Sequence, residues 1–492
     1  MRRLLAFALI PLLLPAGGCL LGPNYEPPKL EAPASYPQPA TTGATIANLP
    51  WWEVYRDPAL QELVRIAIAE NQDLGIAIWR IEEARARYGV TRADQFPSFT
   101  YGADASRTNP SNQFQPGEVG PRNDFALGLG VSWEVDLWGK LRRLTESARA
   151  DLLAEEENRR AITISLVAEV AREYLLLRDF DAQLDISKRT LASRKDSTRL
   201  IAERFHGGIV PELDLRQAEI EEADAAAAVT RFERLIAQSE NALSFLLGRN
   251  PQAIPRGREL AEGQMPLEVP AGLPSELLER RPDVLTAAAQ LHAQTARIGV
   301  AEALRWPTLG LTAAGGLESP DLSDLLTGNA AFWNLGANLF GPLFEFGKNK
   351  RRVEVERART EQLLLNYEKT AHNAFREVAD ALAAIRTLKD EVAIRKGQVE
   401  SATVAAKLSR ARYDGGVTSY LEVLDTERSL FQAELQATET LRQQYAAVVD
   451  LYLALGGGWN PEDPQGMPRI QPVPEWMEPA AAGEGQPAAD AK

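Results

Sequence analysis

Residues 125–137 read FALGLGVSWEVDL, and every odd-numbered position in this stretch is apolar while the even positions are small or polar. Three further stretches alternate in the same way, namely residues 99–106 (FTYGADAS), 309–313 (LGLTA) and 331–340 (AFWNLGANLF). A period of two places the apolar side chains of an extended strand on one face. The sequence therefore predicts four β-strands of about 9–13 residues, the length of a tilted strand that crosses a bilayer.

A soluble β-sandwich shows the same alternation, so the pattern alone leaves both environments open. If the strands cross a membrane, four of them cannot close a barrel, and an open sheet edge has no hydrogen-bond partner in lipid. Two copies of the chain would give about eight strands with a filled interior, whereas three copies would give about twelve around an open lumen. The inward glycines at positions 128, 130, 310 and 336 favour the open lumen and hence a trimer.

The chain contains an internal duplication. A shift of 210 residues aligns residues 86–90 (ARYGV) with 296–300 (ARIGV), and a shift of 208 aligns 204–208 (RFHGG) with 412–416 (RYDGG). A nearly constant offset between matches indicates a repeated unit. The predicted organisation is a signal peptide (1–18), a lipid-anchored Pro-rich leader (19–57), a first repeat unit (58–250), a linker (251–273), a second repeat unit (274–458) and a Pro/Ala/Gly-rich tail (459–492).

Each predicted strand pair is followed by a very long helical stretch. Residues 140–204 and 348–412 contain no proline, and Gly397 is their only glycine. At about 1.5 Å per residue, each stretch corresponds to roughly 100 Å of helix. Glycine pairs then mark turns into return helices. Heptad-like spacing predicts coiled-coil packing. The apolar residues with this spacing are Phe375, Val378, Leu382, Ile385 and Val392, and their repeat equivalents are Val167, Val170, Tyr174, Leu177 and Leu184.

The amino-terminal residues resemble a bacterial lipoprotein signal. Two arginines precede an apolar stretch at residues 4–14, and small residues then lead into Cys19, the only cysteine. The stretch is too short for a transmembrane helix and predicts a cleaved secretory signal. The resemblance implies that Cys19 is lipidated and that the protein is exported to the outer membrane, although Ala16 replaces the usual leucine. Ordinary cleavage after Gly18, with an unmodified cysteine, is the alternative.

The composition excludes several classes of function. The 492 residues include 54 Lys and Arg against 68 Asp and Glu, a net charge of −14 that argues against a nucleic-acid partner. A single cysteine cannot form an intrachain disulfide. The sequence contains no phosphate-binding loop, nucleophile elbow or metalloprotease helix, and its three histidines are far apart. It therefore predicts neither an enzyme nor a cofactor or metal site.

Several short segments outside the strands form a recognisable set. They are GPNY (22–25), WW (51–52), DPALQ (57–61), NQDL (71–74), LPSELLERRPDV (273–284) and YLEVLD (420–425). Together they resemble the bacterial outer-membrane efflux channel family, the TolC-like proteins, and most closely its lipoprotein branch of the OprM and NodT type. The resemblance implies an α+β, mainly α, trimer. Its parts are a twelve-stranded outer-membrane barrel, a long α-helical barrel through the periplasm of a Gram-negative bacterium and a small mixed equatorial region.

The resemblance also implies partners. In similar channels the helix–turn–helix tips meet a periplasmic adaptor (membrane fusion) protein coupled to an inner-membrane pump, here implied to be of the proton-driven RND type. Helix termination at a positive φ is the simpler role for the tip glycines. The tip residues carried over by resemblance are Arg204, Gly207, Gly208, Val210, Arg412, Tyr413, Gly415, Gly416, Thr418 and Ser419.

A candidate gate follows the second tip. Leu421, Glu422 and Asp425 lie there, and Asp214 is the repeat equivalent of Glu422. Glu422 and Asp425 are three residues apart and so share a helix face. Threefold symmetry would turn them into stacked acidic rings that attract cations, and leucine rings can close a pore. The family resemblance places the periplasmic constriction here. The simpler alternative is a set of solvated carboxylates stabilised by a helix dipole.

The sequence as a whole predicts a passive exit duct in a tripartite efflux system. Such a duct would conduct drugs or other small toxic compounds from an inner-membrane pump and its adaptor across the periplasm and the outer membrane. Heavy-metal efflux or type I protein secretion are alternative tasks for the same scaffold. A periplasmic coiled-coil lipoprotein scaffold is the alternative without transport, and it would be favoured if the strands proved soluble.

Overall fold

The computed structural model describes residues 19–33, 35–36, 54–109, 120–262, 274 and 276–457. The predicted signal peptide (1–18) and tail (459–492) lie outside these residues, as do parts of the predicted leader and linker. Within the described residues, long helices dominate and one four-stranded sheet is present, which confirms the predicted mainly α fold. None of the described helices combines the length and the apolar character needed to cross a membrane.

The helices and strands occur in the same order in both halves of the chain. The first half contains α1 (Pro58–Glu70), α2 (Gln72–Ala93), β1 (Ser98–Thr108), β2 (Arg122–Val135), α3 (Lys140–His206) and α4 (Glu212–Leu246). The second half contains α5 (Glu276–Arg280), α6 (Pro282–Ala303), β3 (Thr308–Ser319), β4 (Ala331–Phe340), α7 (Lys348–Asp414) and α8 (Tyr420–Ala454). Helices α3 and α7 have 67 residues each, and α4 and α8 have 35 each, as a duplication requires.

The four strands form one antiparallel sheet in the order β1-β2-β3-β4. Tyr101 lies opposite Leu129, Leu129 opposite Gly315, and Gly315 opposite Trp333. Residues directly opposite each other point to the same side of a sheet, so this register collects the apolar residues of all four strands on one face. That face is uncovered in the protomer, where Tyr101 is 89% and Trp333 77% exposed.

Three strands differ from the sequence prediction, and β1 differs least, since it runs Ser98–Thr108 rather than 99–106. Strand β2 runs Arg122–Val135 rather than 125–137. It ends at residue 135 because the Asp136 carboxylate accepts hydrogen bonds from the backbone N–H groups of Leu141 (3.2 Å) and Arg142 (3.0 Å). This cap begins α3 and ends the strand early. Strand β3 continues to residue 319 rather than 313, since small residues with little alternation still pair along its length.

The chain divides into two compact units, each of which takes sections from both repeats. The first unit comprises Met1–Leu30, Trp79–Glu157 and Thr286–Lys369, and the second comprises Glu31–Ile78, Asn158–Leu285 and Thr370–Lys492. Eight of the ten predicted heptad residues belong to the hydrophobic core of the second unit or pack against it, whereas Leu184 and Val392 are half-buried and are not part of it. Val170, Leu177 and Val378 are fully buried there.

Arg281 holds together three helices of the second unit. Its guanidinium donates hydrogen bonds to Glu377 on α7 (2.7 Å) and to the carbonyl of Ala454 at the end of α8 (2.9 Å), and it pairs with Asp283 at 2.7 Å. The residue is buried. A buried charge is tolerated only when it is paired and hydrogen-bonded, and these contacts give the arginine of the LPSELLERRPDV segment a structural role.

We expect Arg281→Ala to lower the free energy of unfolding by about 2–4 kcal/mol, because Oε2 of Glu377 and the carbonyl of Ala454 both lose the hydrogen bond from Arg281. Thermal unfolding of the purified protein measures this. The matched control is Arg376→Ala on α7, whose side chain is 63% exposed and 3.0 Å from Asp380. The control should lose less than about 1 kcal/mol, and equal losses would contradict the assigned role.

Candidate gate and helix tips

Both long helices end in the same backbone motif. At the first tip the Ile209 N–H donates to the carbonyl of Arg204 and the Gly208 N–H to that of Phe205, both at 2.9 Å, and the second tip repeats both bonds at the same distance. This pair of bonds is a Schellman motif, which needs a left-handed residue. Gly208 (φ 72°) and Gly416 (φ 71°) supply it, whereas the preceding glycine of each pair has no positive φ.

The tips display apolar side chains to solvent. Ile209 is 75% exposed and its repeat equivalent Val417 70%; Leu213 is 63% exposed and its equivalent Leu421 60%. The tip segments that the resemblance identifies, 204–211 and 412–419, contain Ile209 and Val417, and the predicted gate contains Leu421. Leu213 alone was not predicted, although the offset of 208 residues pairs it with Leu421.

The two helical hairpins, α3–α4 and α7–α8, pack against each other near their tips. The Arg204 guanidinium lies 5.3 Å from the centroid of the Tyr413 ring and 3.6 Å from the Asp414 carboxylate. Burial raises the pKa of Tyr420 to about 12, so its hydroxyl stays neutral at physiological pH. The buried residues of this contact are Ile201, Leu215 and Ala218 of the first hairpin, and Tyr420, Val423 and Leu424 of the second.

The residues of the predicted gate are not equivalent in the structure. The Glu422 carboxylate accepts a hydrogen bond from the Thr418 hydroxyl (2.5 Å) and lies 3.3 Å from Nε of Arg412. Its charge is therefore partly compensated within the tip. Leu421 and Asp425, by contrast, are exposed. The structure thus distinguishes a carboxylate that is paired within the tip from an exposed one on the same helix.

The first-repeat candidate, Asp214, is half-buried at the start of α4. Burial raises the pKa of its carboxyl above the ordinary value, so it is protonated more easily than an exposed aspartate. Ser419 is the N-cap of α8 and Pro211 that of α4, and neither makes a side-chain capping bond. The acidic residues in these first turns therefore also suit the positive end of the helix dipole.

The helices that meet at the tips also share a buried ion cluster that the sequence did not predict. The Glu221 carboxylate on α4 is 2.8 Å from Arg194 on α3, both side chains are 5% exposed, and Arg428 on α8 also pairs with this carboxylate. Burial raises the pKa of the neighbouring Glu427. The cluster joins both hairpins through residues more than 200 positions apart, and no local sequence pattern indicates such a contact.

The predicted lipidation site lies in the first unit. Cys19 is exposed and forms no disulfide. The backbone N–H of Leu21 donates to the carbonyl of Trp138, at the base of the sheet, over 3.2 Å. Among the described residues, no group of three or more His, Cys, Asp or Glu side chains is arranged to hold a metal ion.

Known proteins resemble this architecture closely. Residues 63–249 and 273–457 match the family model for outer membrane efflux proteins. The chain is 36% identical over 467 residues to the antibiotic efflux pump outer membrane protein ArpC and to the toluene efflux pump outer membrane protein TtgC, both of Pseudomonas putida, covering 93% of this chain and 96% of each relative. The open-state outer membrane channel MtrE of Neisseria gonorrhoeae superposes with a TM-score of 0.81 at 31% identity, covering 89% of this chain and 98% of that one.

The chain therefore belongs to the outer membrane efflux protein family. This confirms the predicted location in the outer membrane and the predicted role in efflux, which is a transport role. The assignments of individual residues to the gate, the docking tips and the lipid anchor remain predictions.

Proposed function

We propose that the protein is a passive trimeric exit duct, without catalytic activity of its own. The observation that carries this proposal is the four-stranded sheet, which has two edge strands, β1 and β4, and one uncovered apolar face. Edges in lipid need hydrogen-bond partners, so three copies joined edge to edge would form about twelve strands around a lumen. The named roles of ArpC and TtgC support antibiotics and small apolar toxic compounds as substrates.

The duct would bind a periplasmic adaptor at its helix tips and the outer membrane at its amino terminus. Two equivalent tips per chain give about six in a trimer, a number suited to a six-membered adaptor ring. The exposed Ile209 and Val417 side chains are the proposed docking contacts. The adaptor would connect the duct to an inner-membrane pump of the proton-driven RND type, and a lipid on Cys19 would add an outer-membrane anchor.

The assembly is tested by fractionation of Gram-negative cells and by the mass of the detergent-extracted protein. We expect an outer-membrane, heat-resistant species of three times the mass of the processed chain, the full sequence being 54.0 kDa. Tyr101→Arg should prevent insertion, because a charge on the lipid face costs about 2–4 kcal/mol near the bilayer centre.

The control for this substitution is the adjacent Gly102→Arg, which points to the opposite face. An added Cβ at Gly102 meets no atom within 4 Å among the described residues, so this variant should insert normally. A soluble periplasmic monomer or dimer would contradict the duct and favour the scaffold. Equal behaviour of the two arginine variants would contradict the assigned faces.

The gate is tested in planar bilayers. Glu422→Ala combined with Asp425→Ala should raise single-channel conductance, because shorter side chains widen the constriction. It should also weaken cation preference, because both acidic rings are removed. Asp425→Ala alone should weaken the preference more than Glu422→Ala, since Arg412 already compensates Glu422. Asp196→Ala is the control for the two single variants, because it also removes one negative charge per chain, from a side chain on α3 that is 80% exposed. Unchanged conductance and selectivity in the double variant would remove these residues from the constriction.

The docking tips are tested in cells by drug susceptibility. Ile209→Asp combined with Val417→Asp should abolish efflux and leave the trimer intact, because both side chains are largely exposed in the protomer. Gly208→Asn and Gly416→Asn should retain efflux, since asparagine tolerates the left-handed conformation, whereas bulky residues there should abolish it. Loss of the trimer in the aspartate variant would assign these positions to folding instead.

A further inference from the structure

The first unit contains a buried arginine that the proposed function does not use. Arg143, on α3, is 1% exposed. Its guanidinium donates hydrogen bonds to the carbonyls of Leu21 (3.0 Å) and Gly22 (3.1 Å) and to Oδ1 of Asn24 (2.9 Å), and it pairs with Glu146 at 2.8 Å. The Arg143 guanidinium thus binds the main chain of the amino-terminal segment, residues 21–25.

Helix α6 forms the second wall around this segment. A Cβ on Gly299 would lie 2.5 Å from the carbonyl oxygen of Leu21 and 2.9 Å from Arg143, so only glycine fits. Gly22 has a φ of 84°, and a Cβ there would lie 2.4 Å from the Cα of Gly299. The two glycines allow a direct contact between main chains.

The end of the segment is held by a ring contact. The Tyr25 ring stacks on that of His292 on α6, with centroids 4.5 Å apart. Nε2 of His292 lies 3.1 Å from Oε1 of Glu146, whose other oxygen pairs with Arg143. Arg143, Glu146, His292 and Gly299 therefore form one connected site, called here the docking site.

The other repeat shows that the amino-terminal segment itself creates this burial. Arg351, the equivalent of Arg143, forms the same pair with a glutamate three residues on, Glu354, but its side chain is 78% exposed. Gly89, the equivalent of Gly299, has no atom within 4 Å of an added Cβ among the described residues. Both repeats thus contain the arginine and the glycine, but the amino-terminal segment covers only Arg143 and Gly299.

The docking site lies at the base of the sheet. The Trp138 ring, just after β2, stacks on that of Trp306, just before β3, with centroids 5.0 Å apart, and its Nε1 donates to the carbonyl of Pro307 (2.7 Å). Tryptophan is enriched where transmembrane segments meet the water interface. The backbone N–H of Leu21 donates to the Trp138 carbonyl, so Cys19 is two residues along the chain from a residue that is bound at this tryptophan pair.

We propose that the docking site binds residues 21–25 in order to hold Cys19 at the level of the tryptophan pair, so that its lipid enters the bilayer beside the sheet. This inference rests on the proposed lipidation and membrane insertion. If residues 19–25 were free, the lipid on Cys19 would sample many positions. When residues 21–25 are bound, the lipid stays at one depth, and its effective concentration at the membrane rises. Arg143 is accordingly a positioning residue for the anchor.

The test is limited trypsin digestion of the full detergent-extracted protein. Lys29 is exposed, and cleavage after it frees residues 19–29 once they leave the docking site. Mass spectrometry measures the release rate of this fragment. We expect Arg143→Ala and Gly299→Ala to raise the rate roughly tenfold or more, because charge-assisted hydrogen bonds and close main-chain packing are lost. Arg143→Lys should not restore retention, since a lysine lacks the planar fork of donors.

The duplication provides matched controls. Arg351→Ala and Gly89→Ala make the same chemical changes at the equivalent positions and should release the fragment at the wild-type rate. Wild-type rates in both Arg143→Ala and Gly299→Ala, or equally fast release in the controls, would overturn the docking site. If Arg143→Ala failed to assemble, Gly299→Ala, which changes no charge, would test the same contact from the other helix.

The same spectra separate this inference from the proposed function. The fragment's mass reports lipidation of Cys19 independently of the release rate, and an unmodified fragment would overturn the anchoring role. The mass of the intact assembly reports the trimer independently of both. Slow release of a lipidated fragment from the wild-type protein, with fast release only from docking-site variants, is the result that supports the proposal.

Discussion

The hydrogen-bond requirement of strand edges is the constraint on which the rest of the structure depends. Strands β1 and β4 are the edges of the sheet, and their outer N–H and C=O groups have no strand partner within the described chain. Such groups are costly wherever water is excluded. The large apolar face is likewise stable only against lipid or protein. The sheet of one protomer therefore cannot form a closed barrel. The open strand edges and the apolar face both favour assembly of several copies in a membrane.

Duplication explains the helical part of the molecule, and the two copies then differ in the side chains at equivalent positions. The backbone motifs are the same at both tips, because each uses a left-handed glycine after a helix of 67 residues. The side chains differ, since Glu422 and Asp425 have Asp214 and Gln217 as equivalents. At the base of the sheet, Arg143 is covered while Arg351 is exposed. An internal repeat thus supplies two similar positions, and one of them acquires an additional contact.

Two buried charge clusters hold elements that are distant in sequence. Arg281 joins α6, α7 and the end of α8, and Glu221 joins α3, α4 and α8. Both have compensating partners, which burial of a charge requires. Separating the partners would leave an uncompensated buried charge, so each cluster disfavours arrangements of the helices in which its partners lie apart. The tip with the candidate gate is positioned by the second of these clusters.

The sequence by itself determined the features that depend on local periodicity. Alternation identified four strands, the absence of proline and glycine identified the two long helices, and the glycine pairs identified the turns. It placed the ends of β2 and β3 less well, because the Asp136 cap and a run of small residues carry little periodic signal. Only the tertiary structure decided which charges are compensated. Glu422 with Arg412, Glu221 with Arg194, and Arg143 with the amino-terminal segment depend on distances between separate helices and segments, which spacing along the chain does not specify.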